Sequence, residues 1–534
     1  MTKPIQKKSK LPVILSGIAA GVALAIGVNA WALNIGPDKT RALPLQEIRQ
    51  FTDVYGAIRS HYVDGVGDEK LIDQALAGMV SGLDPHSAYL DAEAYKDLQE
   101  GTEGEFGGLG IEVSKDGKNG VLVVSPIDDT PAAKAGIRAG DIIIKIDDKF
   151  TYDLPLSKCV KLMRGDPETK ITLQVVRKGE KKPLTFPLTR AIIKVQSIKF
   201  KELSDGFGYI RITQFQDRTQ SDLAAAINSL HQSGHLKGLV LDLRNNPGGL
   251  LDAAVGVCSE FLPKGLVVVS TKGRTVDSNK SFSTGMRLRN IARAESVPEE
   301  TKTVPLVVLI NPASASASEI VSGALQDHKR ATIMGRRSFG KGSVQTVYPL
   351  SAKEEGKPTG VKLTTARYYT PSGRSIQAKG IVPDIEVLDT AKGNYPSYII
   401  READLNNHLT VSDEKDEEKD EEAEAAEFET DSKKVYKFGD EDDFTLQQAV
   451  RFLKGEKVMT AADAVKQHKA EEKEKEKKAE AEGEAADSDK EAKAPAESGV
   501  KPEEGAQKEA SPEGSQPDQE SKAPSEGSPK AEEK

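Results

Sequence analysis

Three serines alternate with alanines in Asn311-Pro312-Ala313-Ser314-Ala315-Ser316-Ala317-Ser318-Glu319-Ile320, where a strand pattern meets a helical one. A serine at a helix start lies in the positive field of the helix end, and small neighbours let a substrate backbone approach. Its hydroxyl attacks a carbonyl only with a base beside it. No histidine is well placed, since His328 lies down the same helix, away from the serines. The base on offer is Lys341 in Ser338-Phe339-Gly340-Lys341-Gly342-Ser343-Val344-Gln345, a lone lysine flanked by glycines ahead of a strand. A lysine serves once burial lowers its pKa toward the working pH. A third feature is the strand Leu239–Leu243 running into Arg244-Asn245-Asn246-Pro247-Gly248-Gly249. A tight glycine turn at a strand end leaves free N–H groups, as an oxyanion hole requires. Each feature also has a plainer reading: an N-cap for at least one serine, a simple turn, a surface charge. Spacing does not choose among Ser314, Ser316 and Ser318. Together the three point to acyl transfer through a serine.

A second site precedes them. Phe106-Gly107-Gly108-Leu109-Gly110-Ile111-Glu112-Val113 is a glycine-rich loop entering a strand. Glycines let successive N–H groups converge on an anion such as a carboxylate, and the strand edge could accept an extended peptide. A phosphate loop is the rival, but the Lys-Ser/Thr ending it needs is absent.

The elements that must carry these residues divide by composition. Residues 40–103 read as helical, with Ile48, Phe51, Val54, Tyr55 and Ile58 and then Leu71, Ala75, Leu76 and Met79 at three-to-four spacing. The stretch Gly82–Ser87 breaks the second helix. Residues 104–190 hold short strands, Val121–Val124, Ile142–Ile146 and Ile171–Val176, between Gly, Pro and Asp turns. Over 195–395, strands such as Leu239–Leu243 and Leu306–Ile310 alternate with helices, so the fold class is α/β within a mixed, multidomain chain. Residues 396–468 read as an acidic linker with one short amphipathic helix, Phe444 to Leu453. From 469 to 534 the only large apolar residue is Val500, and such a tail cannot bury enough surface to order itself.

The chain has 534 residues, room for three or four domains, and a net charge of −9, which argues against nucleic acid as a partner. Lys3, Lys7, Lys8 and Lys10 precede the uncharged run Leu11–Leu33, which ends in Ala30-Trp31-Ala32. Residues 1–33 therefore read as an export signal, either cleaved or kept as an inner-membrane anchor. The working domains then lie in the periplasm or cell envelope. Cys159 and Cys258, unpaired there, are expected to be buried and inert. Seven histidines without HExxH spacing give a metal little support, and no motif calls for a cofactor.

Two resemblances sharpen this reading. The glycine loop is followed by Ser125-Pro126, Thr130-Pro131-Ala132-Ala133-Lys134-Ala135-Gly136-Ile137 and Ala139-Gly140-Asp141-Ile142-Ile143. That order resembles a circularly permuted bacterial PDZ domain over 104–190, and it implies that Gly108, Leu109, Gly110 and Ile111 hold a substrate's C-terminal carboxylate. From about residue 40 to 390 the chain resembles the carboxyl-terminal processing (tail-specific) proteases, through Gly82–Tyr89, the PDZ module, S-A-S-A-S-E-I and F-G-K-G-S-V-Q.

The resemblance implies a crotonase/Clp-like protease domain in which Ser316 is the nucleophile, Lys341 the general base and Gln345 the residue orienting the lysine. It places the oxyanion donors on Ala317 and a glycine of the turn, Gly248 in preference to Gly249. It gives Arg164, in Met163-Arg164-Gly165, a gating role when peptide is bound. It implies polypeptide substrates with accessible C-termini, self-association through the helical N-terminal region and an envelope adaptor. In a straight strand Lys341 and Gln345 would lie roughly 13 Å apart, so the backbone must bend, most easily at Gly342. Asp327 matches a position tied to activity in the family, and is read here as structural. Ser338-x-x-Lys341 formally matches the S-x-x-K of penicillin-binding enzymes, yet glycines surround the lysine and neither S-D-N nor K-T-G is present. The reading from another class is a non-catalytic scaffold that only binds peptides through its PDZ module.

Overall fold

The computed structural model describes residues 44–467 and 470, apart from 117–119, 128, 235, 287–293, 355–356, 392, 395–399 and 411–437. The expected export segment, 1–33, lies outside the described residues, as does all of the expected tail but Ala470. Met1–Val465 forms one compact unit; of the second, Lys466–Lys534, only Lys466, Gln467 and Ala470 are described. Among the described residues no helix is long and apolar enough to cross a membrane.

Helices α1 (Leu45–His61) and α2 (Asp68–Ser81) form where the apolar repeat runs at three-to-four spacing. The apolar side of α1 stays open: Leu45, Ile48, Phe51 and Val54 are all exposed. Gly82 ends α2, and a tight turn through Ser87 leads into β1 (Ala88–Leu90) and α3 (Ala92–Glu103). Asp91 caps α3, accepting from the Ala94 amide at 2.8 Å.

The next region opens with β2 (Glu105–Gly108), β3 (Ile111–Asp116), β4 (Gly120–Pro126) and a single helical turn, α4 (Pro131–Lys134). It continues through β5 (Ile142–Ile146), β6 (Lys149–Phe150), α5 (Leu156–Met163), β7 (Lys170–Val176), β8 (Leu184–Thr189) and β9 (Ala191–Lys194). The sheet order is β3-β4-β5-β7-β8, with β6 on β5, while β2 pairs with β9. Alternating Val121, Val123, Ile143, Ile146, Ile171, Leu173 and Val175 point into one core against Cys159 and Met163 of α5. This leaves β3 as an edge strand.

The largest region holds a six-stranded sheet in the order β10 (Ile198–Glu202), β11 (Phe207–Ile212), β12 (Gly238–Asp242), β15 (Leu306–Ile310), β16 (Thr332–Gly335) and β19 (Ile385–Glu386). Helix α6 (Thr219–Gln232) connects β11 to β12, and α7 (Leu251–Phe261) follows β12. Strands β13 (Val267–Gly273) and β14 (Lys280–Ser283) leave for a second sheet before the chain returns in β15 (Leu306–Ile310). Helix α8 (Ala317–Asp327) and β16 (Thr332–Gly335) come next, then a long antiparallel hairpin, β17 (Ser343–Glu354) and β18 (Lys357–Tyr369). The hairpin belongs to the second sheet, where β18 lies between β1 and β13. Strand β19 (Ile385–Glu386) closes the first sheet. Every residue of β12 and β15 is buried, which requires cover on both faces. Helices α6, α7 and α8 cover one face.

The other cover departs from expectation. Helix α9 (Phe444–Leu453) falls where the sequence placed a short amphipathic helix, and 438–465 is packed on the six-stranded sheet rather than serving as a free linker. Its Leu446 and Ala449 pack on Tyr209, Val240, Val307, Leu309 and Met334. Beneath it Arg244, 2% exposed, is held by Asp242 at 2.6 Å and by Asp443 at 2.6 Å. The Phe438 ring lies 4.6 Å from the Arg244 guanidinium. Cys159 and Cys258 are both buried and unpaired, as expected, and burial pushes the Cys258 thiol up.

Candidate active site

The parallel strands β12 and β15 end side by side, so the turn after one meets the loop after the other. Asn245 and Asn311 bond across, Asn245 N–H to Asn311 Oδ1 at 2.9 Å and Asn311 Nδ2 to Asn245 Oδ1 at 2.6 Å. Ser314 and Ser318 are fully buried. Ser314 Oγ donates to the Leu243 carbonyl at 2.8 Å, and Ser318 Oγ to the Asn246 carbonyl at 2.9 Å. Both hydroxyls are therefore committed to stitching the two loops. Ser316 differs. It is only partly buried, sits at the N-cap of α8 and takes φ 54°, a left-handed conformation that a non-glycine residue adopts at a cost.

Gly248 touches this serine from the other strand. A Cβ added at Gly248 would lie 2.8 Å from Ser316 Cβ and 2.9 Å from the Ala317 nitrogen, and its φ is +100°. Only glycine fits there. Ala317, first residue of α8, has an amide with no partner inside its own helix. The Gly248 N–H, expected as the second oxyanion donor, instead donates to Asn246 Oδ1 at 2.9 Å.

Lys341 lies in the loop ahead of β17 and is held close to Ser316 through backbone bridges. The buried Glu319 carboxylate accepts from Ser316 N–H at 2.8 Å and from Lys341 N–H at 2.9 Å. It also accepts from Ser338 Oγ at 2.6 Å and Gly340 N–H at 2.7 Å. Burial pushes the Glu319 carboxyl up to about 7, against these four donors. On the far side the buried Tyr368 hydroxyl donates to the Lys341 carbonyl and lies 3.1 Å from the Ser316 carbonyl. One carboxylate thus takes the amides of both residues while one hydroxyl reaches both carbonyls. Sequence reasoning gave Glu319 and Tyr368 no role. Ser316-x-x-Glu319 is a capping-box spacing that could have found Glu319; nothing local points to Tyr368.

The Lys341 ammonium is pulled below its ordinary range, first by burial and then by Lys362, while Glu402, Glu319 and Asp84 act the other way. Gln345 lies on β17 opposite Thr364 of β18, beside a bulge between Val344 and Gln345. The bend anticipated at Gly342 thus comes as a loop ahead of the strand plus this bulge. Gln345 Nε2 donates to Ser343 Oγ at 3.0 Å and to Thr364 Oγ1 at 3.2 Å. Among the described residues no hydrogen bond joins Ser316 Oγ, Lys341 Nζ and Gln345 to one another. Asp327 takes Ser372 N–H at 2.8 Å and Arg374 Nη2 at 2.5 Å, partners in the turn that follows β18.

At the glycine loop, Gly110 has φ +75° and packs against Thr130 where a side chain would stand. The Leu109 and Gly110 carbonyls accept from Ala132 at 3.0 Å and Ile127 at 2.9 Å. Strand β3 pairs only with β4 among the described residues, so its other edge lies open beside this loop. Ile111, Val113, Leu156 and Val160 are partly buried on the same core. Arg164, at the end of α5, reaches Glu100 Oε2 of α3 at 3.3 Å and lies 4.6 Å from the Phe106 ring. Among the described residues no cluster of metal-ligating side chains occurs.

Family models place this geometry among known proteins. Residues 206–387 match peptidase family S41, 107–188 match the PDZ domain, and 33–94 match the activating protease CtpB N-terminal domain. The chain is 45% identical over 442 residues to the carboxy-terminal-processing protease of Bartonella bacilliformis, covering 82% of this chain and 95% of the relative. It is 35% identical over 377 residues to a probable CtpA-like serine protease of Staphylococcus haemolyticus, 70% of each chain. Among solved structures, the photosystem II D1 C-terminal processing protease aligns at 30% identity and a TM-score of 0.36 over 63% of this chain and 86% of that one.

Proposed function

Since the chain belongs to the carboxy-terminal-processing proteases of peptidase family S41, a serine-type peptidase carrying a PDZ domain, we propose that Ser316 is its nucleophile and Lys341 its general base. The observation that carries this reading is the pair of bridges through Glu319 and Tyr368. They fix the backbones of Ser316 and Lys341 side by side, while Ser314 and Ser318 spend their hydroxyls on backbone carbonyls.

The neutral Lys341 amine takes the Ser316 proton as Oγ attacks the scissile carbonyl. The Ala317 N–H, at the positive end of α8, stabilises the oxyanion that forms. Lys341, now an ammonium, protonates the leaving amine, and the acyl-enzyme ester remains. Water then attacks the ester with Lys341 again as base, releasing the new carboxylate and free Ser316. Gln345 receives an N–H of the ammonium on its Oε1. These contacts close as substrate seats, as catalytic hydrogen bonds commonly do. The Gly248 amide joins the oxyanion hole only by leaving Asn246.

The substrate is an unstructured polypeptide whose C-terminal carboxylate sits on the amides of Gly108–Ile111 and whose backbone extends β3. The basic, then apolar N-terminus supports export to the cell envelope, with or without retention as an anchor. The exposed side of α1 supports self-association of the helical region or contact with an envelope adaptor. Incubating the purified protein and its Ser316→Ala form with an unfolded polypeptide, followed by intact-mass analysis, tests the reading. Cleavage by the first alone supports it. No cleavage by either, with tail peptides still bound, would favour the scaffold.

A further inference from the structure

The turn Asp84–Ser87 is about 260 residues from Gln345 in sequence, yet it supports that residue through Thr364. Asp84 Oδ1 accepts from the amides of His86 at 2.8 Å and Ser87 at 2.9 Å, and Oδ2 accepts from Ser87 Oγ at 2.7 Å. These bonds close the turn. The same carboxylate reaches across to β18, where Thr364 Oγ1 donates to Asp84 Oδ1 at 3.1 Å and Thr364 N–H donates to Ser87 Oγ at 3.1 Å. A carboxylate can only accept, and a hydroxyl has one proton. With that proton given to Asp84, Thr364 Oγ1 faces Gln345 as an acceptor, and Gln345 Nε2 fills it. Reversing the amide would set its oxygen against a hydroxyl whose proton is already spent.

We propose that Asp84 and Thr364 are positioning residues that hold the Gln345 amide with its NH2 group on Thr364, so that its oxygen is the end offered to Lys341. This rests on the reading of Lys341 as base and Gln345 as its partner. The Asp84 carboxyl lies below its ordinary range because, although burial opposes it, the donors Ser87, His86 and Thr364 prevail, so it stays an acceptor. The turn also grips the other side of the base. His86 Nε2 lies 2.7 Å from Glu402 Oε2, Glu402 Oε1 accepts from Gln377 Nε2 at 2.8 Å, and Gln377 Oε1 accepts from the Gly342 amide at 2.9 Å. One turn of the N-terminal region is thus linked to Gln345 through Thr364 and to Gly342, next to Lys341 in the chain, through Glu402 and Gln377.

The test is a double-mutant cycle on kcat and KM with a free-acid peptide, run across pH, with thermal melting as the folding control. Thr364→Val removes the acceptor at nearly constant volume and lowers kcat about tenfold with little change in KM, the scale of one hydrogen bond. Thr364→Ser recovers most of the turnover. In a Gln345→Ala background the same Thr364→Val change has no further effect, because the residue through which it acts is gone. Thr364→Ala takes the place of the valine variant if the latter does not fold. The lysine's surroundings, Lys362, Glu402, Glu319 and Asp84, are unchanged in charge by these variants, so the pH midpoint moves only through Gln345. An additive loss in the Gln345→Ala background, or no loss in Thr364→Val alone, overturns the inference while leaving the catalytic reading standing. Full turnover in Lys341→Met or Gln345→Ala would instead remove the reading beneath it.

Discussion

At the scale of single residues, three serines within five positions have three different surroundings. Ser316→Ala should abolish proteolysis. Ser314→Ala and Ser318→Ala should keep measurable activity but each lose about 0.5–1.5 kcal/mol of stability, the scale of one hydrogen bond, since the Leu243 and Asn246 carbonyls keep the amides of Asn246 and Ala315 as donors. Chemical denaturation and peptide turnover, measured on all three, separate the roles; full activity in Ser316→Ala would overturn the assignment. If Lys341 is the base, as proposed, only its uncharged amine works, so the rate should rise with pH as it deprotonates. Because burial and Lys362 lower its pKa, the midpoint lies below the ordinary lysine value. Lys362→Gln removes a repelling charge and should move that midpoint to higher pH. Lys341→Arg should fold and be inactive, because guanidinium keeps its charge. A pH-rate profile that Lys362→Gln leaves in place would mean another group titrates.

At the scale of elements, α9 supplies the cover for the second face of the six-stranded sheet. Truncation after residue 469 should leave melting temperature and peptide hydrolysis unchanged, whereas truncation before Phe438 strips cover from Tyr209, Val240 and Val307. Asp443→Ala should cost about 3–5 kcal/mol, because Arg244 keeps its charge in a buried site with half its partners gone. Comparing the melts of the three proteins decides this, and a stable chain cut before Phe438 would refute the role. The periodicity of Phe444–Leu453 made the helix readable from sequence. Its docking was not readable, because its ion-pair partner is Arg244, on a strand end about 200 residues earlier. The same limit applies at the site. Residue types and glycines pointed to the serine cluster, Lys341 and the glycine turn, since the proposed chemistry needs such residues locally, and only the family resemblance singled out Ser316. Thr364, Tyr368 and Asp84 look like ordinary strand and turn residues, and their part appears only when β18 and the Asp84–Ser87 turn meet. Gly248, expected as an oxyanion donor, is the reverse case: the glycine packs against Ser316, but a neighbouring asparagine holds its amide.

At the scale of the whole molecule, Arg164 ties the PDZ region to α3, and α3 continues from β1, which pairs with β18. If peptide binding gates catalysis through this contact, it does so by differential affinity for two arrangements. Arg164→Ala should then lower kcat at saturating substrate, and amidating the substrate's C-terminus should lower kcat as well as raise KM. The comparison is kcat and KM for free-acid and amidated peptides on both proteins. Should the substitution change neither constant while amidation alters only KM, the PDZ domain tethers and does not gate.

The open edge of β3, beside the glycine loop, carries one more consequence for the proposed recognition of a tail. A surface that works in the proposed way would read backbone and terminus, with side chains as a secondary matter, so what it would detect is that a chain has an end. A polypeptide joined head to tail would escape it, however loosely folded, and the same ring opened at one bond would become visible at once. Every scission creates a fresh end of the kind that was recognised, which makes the product of one round eligible for the next. Restraint then has to come from the folded state of the target, through how far its last residues are left hanging free.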